Sequence, residues 1–175
     1  MKKIFINQLE TFRYMKISIV FSFCVYLVGV FIGGCVFWNK KIKIHPMKIN
    51  SLVILNNNIK TAVLILFIGL ITAGIGSTLL MLINGGILGG TILGAINLNN
   101  FNAIKTGIVP HAGFEIMALC LFMAVSLESN KLLRNIFLDK KEEVVHIKYD
   151  IIAIADGIIL LIIAALIEGN ISYVR

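Results

Sequence analysis

Long apolar runs alternate along this chain with short polar stretches, and the lengths of the runs set the expected elements. Apolar segments occupy about 17–38, 61–83, 87–104, 108–127 and 151–167. Each is about the length a helix needs to cross a hydrocarbon core of about 30 Å. One stretch is decisive. From Thr61 to Ile104 there is no Asp, Glu, Lys or Arg in 44 residues. As one helix it would extend roughly 66 Å at ~1.5 Å per residue, about twice the bilayer core. It must therefore turn back and cross twice. Asn84-Gly85-Gly86 carries the strongest turn signal inside it, so the reversal is expected there. The expected architecture is all-α: an integral membrane helical bundle of about five transmembrane helices in a single domain, with a glycine-rich hairpin at its centre.

The stretches between the spans are polar and basic. Residues 1–16 place Lys2, Lys3, Arg13 and Lys16 around Ile4, Phe5, Leu9 and Phe12, which suits a short helix lying at the membrane surface. Trp38 falls where an interfacial aromatic belongs, and Pro46 interrupts any helix in 39–60. Within the charged segment 128–150, Leu132, Leu133, Ile136 and Phe137 recur at helical spacing and suggest a surface helix with one apolar face. Nine basic residues on the N-terminal side against seven on the other favour an inside N-terminus and an outside C-terminus, by a narrow margin. A removable signal peptide is not expected: the first apolar run is longer than a signal core, and no A-x-A site follows it.

Composition agrees with this pattern. The chain is 58% apolar and only 14% charged, whereas soluble domains average about 25% charged residues. A net charge of +7 would point to nucleic acid in a soluble protein. Here the cations cluster beside apolar segments, where anionic headgroups attract them, so the expected partner is the lipid bilayer and no nucleic acid. Cys24, Cys35 and Cys120 all lie within apolar segments and share no metal-ligand spacing, so they are expected as small apolar side chains.

Small residues are spaced for helix contact. Gly69, Ala73 and Ser77 repeat every fourth position, as do Gly85 with Gly89, and Gly86 with Gly90 and Gly94. Such rows let helix backbones approach closely where lipid supplies no hydrophobic drive.

Polar groups at membrane depth carry the candidate chemistry, because each needs a partner or a job. His111, Glu115, Asp156 and Glu168 are the ionisable ones, and Asn57 and Asn84 add amides. His111 and Glu115 are four apart, on one helical face, and Pro110 suits the first turn of that helix. Several uses are open: an acid–base couple for peptide chemistry with Asp156 as a third catalytic candidate, a proton relay, a divalent metal site if Asp156 or Glu168 joins His111 and Glu115 as third ligand, or substrate contact. The ordinary alternative is an interhelical hydrogen-bond knot that fixes the bundle. His45 and His146 lie in charged loops and are expected to be solvated. No Walker, Rossmann, G-x-S-x-G or H-E-x-x-H motif is present, so no cofactor is implied by motif and any energy must come from another subunit.

The Asn56-Asn57 pair, Asn84-Gly85, Pro110-His111-Ala112-Gly113-Phe114-Glu115 and Ala164-Ala165-Leu166-Ile167-Glu168 together resemble the SpoIIM family of multi-pass membrane proteins, over about residues 52–170. The family pattern is a Pro-His-Gly followed by a Glu; this chain departs from it with Ala112 after the histidine. The resemblance implies either of two roles. One is a scaffold for cell-wall hydrolases in spore engulfment. The other, closer in length and motif, is a bacterial cell-membrane subunit for leader removal, cyclisation and secretion of a circular-bacteriocin peptide. That second role implies a cytoplasmic ATPase, another multi-pass protein and a hydrophobic peptide substrate as partners. A third expectation comes from the residues themselves: an intramembrane peptidase or ligase using His111 and Glu115.

Overall fold

A computed structural model describes residues 2–38, 50–131, 135 and 146–171. The described chain is helical throughout, in five long helices: α1 (Lys2–Val36), α2 (Ser51–Ile71), α3 (Ile75–Asn97), α4 (Val109–Leu127) and α5 (Ile147–Ile171). A π-helical segment, Ala103–Ile108, leads directly into α4. All five helices are long and apolar enough to cross a membrane. The shortest of the hairpin pair, α2, has 21 residues and extends about 32 Å at ~1.5 Å per residue. Large apolar side chains face outward on every helix, among them Ile17, Phe31, Ile71 and Ile151. Water would penalise that surface and hydrocarbon does not, so this is a multi-pass membrane protein.

The helix ends follow local chemistry. Asn50 caps α2, its Oδ1 accepting from the Leu52 amide at 2.9 Å. Asn99 adopts a positive φ of 54° after α3, and the Asn100 amide reaches back to the Ala95 carbonyl at 2.9 Å, closing the helix as a glycine would. Inside the spans, hydroxyls and amides return to their own helix. Ser22 donates to the Ser18 carbonyl at 2.7 Å, Thr91 to Ile87 at 2.8 Å and Asn84 to Leu80 at 2.8 Å. Lipid offers these groups no other partner.

Several boundaries differ from the sequence expectation. Residues 2–16 are not a separate element; α1 runs unbroken from Lys2, since no proline or glycine separates the basic turns from the span. The second span starts at Ser51 rather than 61, because the apolar run 52–55 and Asn50 as cap extend the helix past the asparagines. The reversal between α2 and α3 is at Thr72-Ala73-Gly74, not at Asn84-Gly85-Gly86, which lies within α3. Gly74 takes φ 86°, its amide donates to the Gly69 carbonyl at 2.7 Å, and the Thr72 hydroxyl accepts from the Gly76 amide at 2.8 Å. A left-handed glycine flanked by a capping threonine turns the chain more effectively than Asn-Gly-Gly does in lipid, where an unfolded turn leaves amides without water. Ala73 sits in that turn with φ 53°, so Gly69, Ala73 and Ser77 do not form one row on one helix. The apolar positions 132, 133, 136 and 137 and the loop prolyl residue at 46 lie outside the described residues.

The helices α1, α3 and α5 run one way and α2 and α4 the other. The widest interface joins α1 to α3. Its seam is glycine on glycine: a Cβ on Gly33 would collide with the Gly86 carbonyl, one on Gly85 with the Tyr26 carbonyl, and one on Gly89 with the Val30 carbonyl. The glycines of α3 thus serve α1, a partner that the spacing within α3 alone does not name. Gly29 and Gly33, four apart on α1, complete the seam. The most enclosed helix is α4, buried continuously from Ala118 to Ser126. Its Ser126 hydroxyl donates to the Ser77 hydroxyl of α3 at 2.9 Å, and both pack on Gly69 of α2. Three helices meet at that point.

Candidate functional site

Each end of α4 carries a polar cluster. At its start, Pro110 occupies the first turn and the π-helical segment precedes it, placing His111, Ala112 and Glu115 on an inward face. The Nε2 of His111 lies 3.7 Å from the Oε2 of Glu168 on α5, a pairing that is ionic when the imidazole is protonated. The same face opens into a cavity of about 320 Å³, lined by Tyr26 of α1, Asn84 and Thr91 of α3, His111 and Glu115 of α4 and Glu168 of α5. Gly107 and Ile108 of the π-helical segment also line it. Widened turns of this kind recur at functional sites, because they rotate side chains out of the α-helical register. Among the described residues Glu115 has neither a hydrogen-bond donor nor a cationic partner, although it is only partly exposed and sits at membrane depth.

The sequence expectations divide here. His111, Glu115, Glu168 and Asn84 come together. Asp156 does not join them: its Oδ1 accepts from Gln8 Nε2 of α1 at 3.1 Å. Asp156 and Glu168 are twelve positions apart on one helix, about 18 Å of rise, so one cannot stand in for the other. Asn57 is exposed on α2 and is not part of this cavity's lining; its neighbour Asn58 is the half-buried amide. Among the described residues no three His, Cys, Asp or Glu side chains converge to hold a metal ion. Ala112, where the family pattern has glycine, lines the cavity, and a Cβ on Gly113 would meet nothing within 4 Å. The segment is helix rather than loop, and neither position demands glycine for packing.

Two contributors escaped the sequence reading. Tyr26 is the only tyrosine in the first apolar run, a phenol where lipid asks for none, and that was the available signal. Thr91 had no signal, since its hydroxyl is satisfied within its own helix.

At the other end of α4, Glu128 is buried at 4% exposure, with Lys131 Nζ 2.8 Å from its Oε1. The Tyr14 hydroxyl of α1 donates to Glu128 Oε2 at 2.9 Å, and Lys131 also donates to that hydroxyl at 3.0 Å. Tyr149 and His146 stack around the Tyr14 ring, with centroids 5.1 and 5.2 Å away. This cluster ties α1, α4 and the start of α5 together, with Glu128 and Lys131 paired in it; Asp150, in the first turn of α5, has one buried carboxyl oxygen, Oδ1, without a hydrogen-bond partner among the described residues. The cluster is built as a fastening. His146 is exposed, as expected of it.

The model of one family, stage II sporulation protein M, matches residues 14–173, nearly the whole chain. This protein belongs to the SpoIIM family. A protein of Methanocaldococcus jannaschii, itself of uncharacterized function, is 33% identical to it over 172 residues, covering 90% of this chain and 95% of that relative. No solved structure matches. The match includes α1 from Tyr14 onward, so Tyr26 and the Gly29/Gly33 seam fall within the SpoIIM region along with His111, Glu115 and Glu168.

Proposed function

We propose that this SpoIIM-family protein is a subunit of a bacterial cell-membrane complex that matures and secretes a hydrophobic peptide of the circular-bacteriocin type. In this reading it works with a cytoplasmic ATPase and another multi-pass protein. The observation that carries the proposal is the polar cavity at the start of α4, whose lining includes His111, Glu115 and Glu168. Ionisable groups at membrane depth are costly and are kept for transport paths, relays or binding. The sequence carries no nucleotide-binding motif, so in this reading the energy for export comes from the ATPase.

A second reading follows from the His111–Glu168 pair, whose 3.7 Å separation is longer than a hydrogen bond and would have to tighten around a substrate to act as an acid–base couple. An intramembrane peptidase or ligase would use that pair with Glu115 on the scissile or joining amide. One experiment separates these readings from each other and from a scaffold for wall hydrolases. His111→Ala and Glu115→Gln variants are expressed in a producing strain, and the peptide in cells and medium is weighed by mass spectrometry. Full-length precursor accumulating inside supports the peptidase. Processed peptide retained inside supports the transport subunit. Normal secretion with both variants removes both readings and leaves the scaffold.

A further inference from the structure

The cavity's charge is unbalanced, and the imbalance specifies a ligand. Its lining includes two carboxyl groups, Glu115 and Glu168, one imidazole, His111, and no lysine or arginine. Even as imidazolium, His111 offsets only one carboxylate, and its geometry assigns it to Glu168 at 3.7 Å. Glu115 is left facing the cavity without a cation or donor among the described residues. A carboxyl group in that position either keeps a proton or, as an anion, is completed by a positive group brought from outside. Around it stand neutral hydrogen-bonding groups, Tyr26, Asn84 and Thr91, and apolar walls from Ile87, Leu88 and Ile116. The volume of about 320 Å³ is at the small end for ligand sites, which run from about 300 Å³ upward.

We propose that the cavity binds the α-ammonium end of an apolar peptide, with Glu115 as its counter-ion and the Tyr26 hydroxyl and the acceptor oxygens of Asn84 and Thr91 available to the first peptide groups. An aminophospholipid also carries an ammonium group, but its phosphate sits beside it. His111 is already taken by Glu168 and no lysine or arginine lines the cavity to receive that phosphate, so the peptide end is the better match. The assignment rests on the peptide-maturation reading for its biological meaning: leader removal creates a free amino end, and cyclisation consumes it. The binding claim itself stands on the cavity alone.

The full-length protein is tested in phosphatidylglycerol nanodiscs. The probes are a short synthetic Leu/Ala peptide with a free amino end and its N-acetylated twin, and binding is read by thermophoresis. The free amine should bind about tenfold tighter or more, the scale of one hydrogen bond to a charged group. Glu115→Gln should remove that preference, and Asp156→Asn, an acid outside the cavity, should keep it. Equal binding of the two peptides to the wild-type protein overturns the proposal without any variant having to fold. Displacement of the free-amine peptide by phosphatidylethanolamine in the disc also overturns it, in favour of a lipid headgroup. If the peptide preference holds while Glu115→Gln leaves secretion in cells unchanged, the site stands and the maturation role falls.

Discussion

A Cβ on Gly33 of α1 would run into the main chain of Gly86 on α3, whereas Gly34, one position on, faces open space with nothing within 4 Å of a Cβ. The adjacent pair makes an internal control. Gly33→Val should push α1 from α3 and lower stability by about 3 kcal/mol or more, since main chain cannot yield as a flexible side chain does. Gly34→Ala should change it by no more than a few tenths of a kcal/mol, about the scale of an unconstrained surface substitution. Thermal unfolding in detergent, followed by helical circular dichroism, reads both. Equal loss in the two variants would contradict the seam.

Much of the fold was legible because lipid simplifies the code. Where water cannot satisfy a backbone amide, apolar length alone dictates helices, and the uncharged run 61–104, too long for one crossing, had to contain a reversal, although the first of its two helices begins earlier, at Ser51. The position of its turn was not legible. Asn84-Gly85-Gly86 is a strong turn signal in water, but in the bundle those glycines are used for close approach to α1, and Thr72 with a left-handed Gly74 makes the reversal. Small residues in a span have two uses, turning and packing, and spacing within one helix does not say which partner they meet. The candidate site was half legible for a related reason. His111 and Glu115 announce each other by their spacing on one helix, whereas the choice between Asp156 and Glu168 depends on which level of α5 lies beside α4.

The Ser126–Ser77 hydrogen bond at 2.9 Å is fully buried where α2, α3 and α4 meet. Interhelical hydrogen bonds in membranes average only about 0.6 kcal/mol, because the separated helices find other partners. Ser126→Ala should therefore cost about 1 kcal/mol or less. Ser126→Leu should cost about 3 kcal/mol or more, since its added bulk meets Gly69 at the three-helix contact. A similar loss in both variants would mean that the hydrogen bond, rather than the close approach, holds the junction.

Glu128 and Lys131 are unequally placed: the carboxylate side chain is 5% exposed and the ammonium side chain 29%. Removing the cation strands a buried anion, so Lys131→Met should destabilise by about 3 kcal/mol. Adding Glu128→Gln should recover most of that loss, because an amide accepts from Tyr14 without needing a counter-charge. The double-mutant cycle in detergent checks the sign. No recovery in the double variant would show that Lys131 acts through packing on the Tyr14 ring, 4.4 Å away, and not through its charge.

Asp156 and Glu168 stand on the same helix with different neighbours, and their variants should separate structure from function. Asp156→Asn keeps an acceptor for Gln8 Nε2, so stability and peptide handling should both be within about 0.5 kcal/mol of wild type, the usual range for a change that leaves no group unsatisfied. Glu168→Gln keeps the shape of the cavity wall but removes the charge beside His111. Folding should again change little, because the pair is partly exposed and such pairs contribute about 1 kcal/mol at most. Secreted peptide should nonetheless fall by about tenfold or more if one charged contact at the site is lost. The measurement is secreted peptide per folded protein, by mass spectrometry and by yield of detergent-purified chain. Should Asp156→Asn instead abolish secretion while Glu168→Gln leaves it intact, the working site would lie at the Gln8 level of α5, and the cavity at the start of α4 would be only a gap in the packing.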